Sequence, residues 1–184
     1  ANIAGDQPYR ILIVRHGKIA AEWNFRTDPA SQADQASASK STFSSILGIA
    51  IREGVIKSEN DQVSDYYPEM LDVAQGEGPK DGRYAFPEND SITFRQLIGN
   101  TSGYMKPGEA PGKVFNYQTF GMNILTHAIA SAYNLYKTSN PKQGAGFGTL
   151  TEWKIRNLIG GTWSWKYGNF EMHAKAKLGV FGYM

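Results

Sequence analysis

Ser37-Ala38-Ser39-Lys40-Ser41, running into Thr42-Phe43-Ser44-Ser45-Ile46-Leu47-Gly48-Ile49-Ala50, puts a hydroxyl and an amine three residues apart at the head of an amphipathic run. Phe43, Ile46, Leu47, Ala50 and Ile51 recur at helical spacing and Gly54 stands where a glycine ends a helix, so the pattern predicts a helix over residues 39–53. Positions i and i+3 share a helix face, which brings Lys40 to Ser37. A serine hydroxyl is a poor nucleophile near neutral pH without a base in hydrogen-bond reach, and a lysine becomes that base once desolvation or nearby positive charge lowers its pKa. A helix start also leaves backbone N–H groups without intrahelical partners, so the Ser37 N–H can donate to an oxyanion on a substrate carbonyl. On its own the pentad equally describes a serine cap beside a solvated lysine. A second Ser-x-x-Lys, Ser139-Asn140-Pro141-Lys142, leads into the glycine-rich Gln143-Gly144-Ala145-Gly146-Phe147-Gly148 and reads as loop.

Around that stretch the chain alternates short apolar runs with turns. Residues 9–24 read as a β-hairpin: Ile11-Leu12-Ile13-Val14 goes out, Arg15-His16-Gly17-Lys18 turns, and Ile19-Ala20-Ala21-Glu22-Trp23 returns. Two strands are marginal alone and need further strands or helices to cover an apolar face. Residues 72–90 look like loop, Thr93 can cap a short helix over 94–99, and Thr101-Ser102-Gly103-Tyr104 turns the chain. A strong helix spans about residues 119–133, with Met122, Leu125, Ile129 and Ala132 on one side; Thr151 can cap a last helix over 152–158, and residues 162–168 are aromatic and read as extended. The organisation expected is α+β, with residues 1–30 as an N-terminal β-hairpin and 31–184 as a mainly helical region.

Composition excludes several classes. The 184 residues suffice for one ordinary domain or two small ones, with a real core. Nineteen basic against seventeen acidic side chains leave a net charge of +2, with no basic run, so nothing calls for nucleic acid or an anionic membrane. No apolar run approaches a membrane span. The chain has no cysteine, its three histidines are scattered, and no metal-ligand spacing occurs, so no metal or cofactor is expected.

Four stretches, in order, resemble the penicillin-binding-protein and serine β-lactamase superfamily, and more closely its branch of β-lactamase-related esterases, amidases and class C-like enzymes. The nucleophile helix is matched by Ser37-Ala38-Ser39-Lys40-Ser41 with Gly54-Val55-Ile56. Ile92-Thr93-Phe94-Arg95-Gln96-Leu97-Ile98-Gly99-Asn100-Thr101-Ser102-Gly103-Tyr104 is similar to the helix-and-turn segment ending in Thr-Ser-Gly. Pro111-Gly112-Lys113-Val114-Phe115-Asn116-Tyr117-Gln118-Thr119 looks like the loop with the catalytic tyrosine, and the segment from Leu150-Thr151-Glu152 to Leu158-Ile159-Gly160 like a following helix.

The resemblance implies that Ser37 is acylated, that Lys40 helps remove its proton, and that Tyr117 relays a proton to or from the leaving group. Thr119 stands where relatives carry asparagine or serine and would contribute to substrate binding with one hydrogen bond rather than two amide donors. The implied substrate is a small-molecule ester or amide: a β-lactam, a peptide or an oligomer amide. A third motif, Lys- or His-Thr-Gly on a later strand, is not evident; Lys166-Tyr167-Gly168 comes too early. The resemblance thus leaves the sheet incomplete, to be finished by a second chain or a C-terminal segment, and favours a periplasmic or secreted location. A chain lacking that motif could also be an inert ligand-binding or sensor form of the same fold.

One rival comes from elsewhere. Ile11-Leu12-Ile13-Val14-Arg15-His16-Gly17 also resembles the phosphohistidine motif of phosphatases, in which His16 would take a phosphoryl group. A hairpin turn that needs a glycine at positive φ explains the same string.

Overall fold

A computed structural model of the chain describes residues 5–33, 35–78, 80–135 and 146–164. The chain divides into two compact units, Ala1–Asp34 and Gln35–Met184.

The first unit is a hairpin of two antiparallel strands, β1 (Tyr9–Arg15) and β2 (Lys18–Phe25). Arg15 pairs with Lys18 across a two-residue turn whose residues, His16 and Gly17, have φ of 49° and 73°. Two positive φ values in succession define the turn that matches the twist of paired strands, and they account for the Arg-His-Gly string without a phosphate. Val14 pairs with Ile19 but Ile13 with Ala21, leaving Ala20 as a bulge. Tyr9 and Phe25 stack at 5.3 Å where the strands open. Leu12 and Val14 point to one face and Ile13 and Trp23 to the other, yet all four are about half exposed.

The second unit is helical. A 3₁₀ turn, Ala36–Lys40, runs directly into α1 (Ser41–Arg52); α2 (Phe94–Ile98), α3 (Thr119–Ala132) and α4 (Phe147–Thr151) follow, with short 3₁₀ turns between. Phe43, Ile46, Leu47 and Ala50 of α1 are buried, the stripe that their spacing predicts. Three helices stop in the same way. After α1, Gly54 (φ 71°) donates to Ile51 O and Val55 to Ala50 O. After α2, Asn100 (φ 55°) donates to Leu97 O and Thr101 to Gln96 O; after α3, Asn134 (φ 57°) donates to Ser131 O and Leu135 to Ala130 O. Each is a Schellman closure, which uses a left-handed residue to satisfy the last carbonyls. At the start of α2, Thr93 Oγ1 accepts from Gln96 N and Gln96 Oε1 accepts from Thr93 N, the reciprocal capping box that Thr93 suggested.

Two expectations are corrected. The spacing of Met122, Leu125, Ile129 and Ala132 implies a one-sided α3, but all of residues 121–130 are buried, because α1, α2 and α4 all pack on this helix. The last helix begins at Phe147 rather than 152, with Thr149 Oγ1 accepting from Gly146 N at its start; Thr151 lies inside it and donates to Gly148 O at 2.7 Å. It continues through a π turn, Glu152–Arg156, into Asn157–Ile159 and ends at Gly160. Glycines at 144 and 146 conceal this start, since they read as loop. The second Ser-x-x-Lys, at 139–142, and Lys166-Tyr167-Gly168 lie outside the described residues.

Among the described residues the sheet has two strands, and no helix is long and apolar enough to cross a membrane. The α+β class expected from the sequence, with an incomplete sheet, is the class observed.

Candidate active site

Ser37 enters the helix from a sharp corner. Ala36 before it has φ of 42°, a left-handed value unusual for a residue with a Cβ, and Ala38 N donates to Gln35 O at 2.9 Å to close the turn. Ser39 Oγ donates to Ala36 O at 2.6 Å and Thr42 Oγ1 to Ser39 O at 2.7 Å, so the neighbouring hydroxyls are spent on this backbone. Ser37 is left exposed, while Lys40, one turn on, is only 8% exposed. Lys40 Nζ donates to Ser37 Oγ at 2.7 Å.

The second half of the site comes from the segment between α2 and α3. Gly103 has φ of 60°, and a Cβ there would lie 2.0 Å from Glu109 O, so only glycine fits the Thr-Ser-Gly turn. Gly112 N donates to Thr101 O at 2.7 Å and Asn116 N to Asn100 O at 2.8 Å, laying residues 112–118 along the turn. Extended chain then alternates. The Gln118 side chain is buried and its Nε2 donates to Ser102 Oγ, Asn116 Nδ2 donates to Glu109, and the intervening Phe115 and Tyr117 side chains are exposed.

Tyr117 thereby meets the first half. Its phenol is held below the usual tyrosine range, chiefly by hydrogen bonding with Lys40 and then with Ser37, while burial opposes the shift. Lys40 Nζ also lies 5.3 Å from the centre of the Tyr117 ring, within range of a cation–π contact. Three side chains from two segments about eighty residues apart in sequence therefore converge: a hydroxyl, an amine and a phenol.

Of the four residues singled out from the sequence, Ser37, Lys40 and Tyr117 are together. Thr119 opens α3 two residues further on, half-buried, and the hydrogen bonds that join the other three do not include it. Asn100 and Gln118, which hold the Tyr117 segment, are given no role by any motif that the sequence shows. An asparagine directly after Gly99 at a helix end was the available signal for the first; nothing in the spacing marks the second. Among the described residues, no group of histidines and carboxylates could hold a metal ion.

A two-strand hairpin and a helical unit, with a serine at a helix start beside a lysine, make an α+β protein, and a serine hydrolase-like fold is what its family match supports. Residues 8–139, well over half the chain, match the family described as Beta-lactamase, and the chain belongs to that family. Comparison with curated proteins yields no match.

Proposed function

We propose that the chain acts as a serine hydrolase, forming an acyl-enzyme on Ser37 from an ester or amide, a β-lactam or the amide of a peptide or oligomer being the substrate class. The observation that carries this reading is the 2.7 Å contact from Lys40 Nζ to Ser37 Oγ with the Tyr117 phenol in reach of both. Lys40 holds the hydroxyl in this contact, and hydrogen bonding from Lys40 and then from Ser37 is what chiefly favours Tyr117 as phenolate. Tyr117 then takes the Ser37 proton as Oγ bonds to the substrate carbonyl carbon. The carbonyl oxygen becomes an oxyanion, stabilised by the Ser37 N–H at the helix start. Collapse expels the alkoxide or amine, which takes the proton back from Tyr117, and water cleaves the acyl–Oγ bond by the same route in reverse. Thr119, the first residue of α3, is assigned to holding the substrate.

Labelling with a fluorescent penicillin and with a fluorophosphonate, followed by mass spectrometry, tests this. The label is expected on Ser37 and absent from Ser37→Ala. The labelling rate should rise with pH along a limb whose midpoint lies below about 10, the ordinary tyrosine value. Tyr117→Phe should remove that limb and slow labelling by about 10²- to 10⁴-fold, the usual worth of a general base. Adducts on another residue, or a limb that survives Tyr117→Phe, would overturn the assignment.

A further inference from the structure

We infer that Asn100 is the positioning residue for Tyr117, gripping the chain on both sides of the phenol with two acceptors, its side-chain Oδ1 and its own backbone carbonyl. Asn116 N donates to the Asn100 backbone oxygen at 2.8 Å, and Gln118 N donates to Asn100 Oδ1 at 3.3 Å. These two bonds fix the segment on either side of residue 117, and with the Asn116 and Gln118 side chains held by Glu109 and Ser102, alternation in extended chain leaves the Tyr117 side chain between them directed outward. The grip depends on Asn100 being left-handed (φ 55°), which lets carbonyl and side-chain amide face the same neighbouring segment. Asparagine is among the few residues with a Cβ that tolerate that conformation. Asn100 is itself anchored: its N–H and that of Thr101 close the end of α2 on Leu97 and Gln96. The arrangement transmits the position of α2 to the phenol, and it rests on the reading of Tyr117 as the base.

Asn100→Gly separates this role from helix termination, because glycine is the preferred residue at that closure and retains the backbone carbonyl while Oδ1 is lost. Site-resolved NMR titration of ¹³Cζ-tyrosine, assigned with Tyr117→Phe, should show the Tyr117 midpoint moving up toward the ordinary tyrosine value in Asn100→Gly, as the phenol loosens from Lys40. Fluorophosphonate labelling of Ser37 should slow by about 10- to 100-fold, the cost of a misplaced catalytic group. The same substitution in a Tyr117→Phe background should add little. An unmoved Tyr117 midpoint, or a slowing as large in the Tyr117→Phe background as in the native chain, overturns the inference. Should glycine fail to give a folded chain, Asn100→Asp decides: it keeps both acceptors, so labelling within about threefold of the native rate supports the role and a loss beyond tenfold refutes it. A Tyr117→Phe chain that labels at the native rate instead removes the base reading itself, and the NMR midpoint still reports on Asn100 separately.

Discussion

The helical unit buries Phe43, Ile46, Tyr67, Tyr104 and Phe147 completely, whereas the hairpin holds Leu12, Val14, Ile19 and Trp23 about half in water. Both sets are bulky apolar or aromatic residues; their fates differ because packed helices can close around one another and a two-strand hairpin on its own has two open faces. Stability in this chain is therefore concentrated where α1, α2 and α4 wrap α3, and the hairpin's apolar residues contribute mainly surface.

That contrast can be broken by substitution. Phe43 meets the Phe147 ring edge-on at 5.0 Å with no exposed surface, so Phe43→Ala should cost about 3–5 kcal/mol in a urea melt followed by helical circular dichroism. A loss under about 1 kcal/mol would show that the helical core is loosely built. Thr93→Ala removes half of a reciprocal cap and should cost about 1 kcal/mol, sharpening how much of the helical unit's stability is local to α2. Trp23→Ala, although it deletes the larger ring, should stay within about 0.5 kcal/mol of the native chain. A Trp23 effect rivalling that of Phe43 would mean the hairpin face is covered in solution.

The legibility of these features from sequence follows their range. The hairpin turn, the Thr93 cap and the Gly54 stop are each decided within five residues, so the sequence shows them. The nucleophile pentad shows spacing but not exposure; that Ser37 stays outside while Lys40 sinks depends on the left-handed corner at Ala36, a residue whose identity gives no hint of it. Spacing alone brings Lys40 to Ser37, whereas the meeting of both with a Tyr117 phenol held below the usual tyrosine range shows only in the structure. That convergence needs a contact spanning about eighty positions, which no local pattern encodes. The full burial of α3 escaped for the same reason, since its amphipathic stripe is set by its own residues and its surroundings by three other helices.

The alternation along residues 115–118 gives the tyrosine loop a reading frame. Deleting or inserting one residue between Gly112 and Gln118 would swap every side chain from one side of the segment to the other, thrusting a glutamine into water and a phenol into the turn. Two-residue length changes would restore the phase, so variation in this loop among kindred chains should come in pairs.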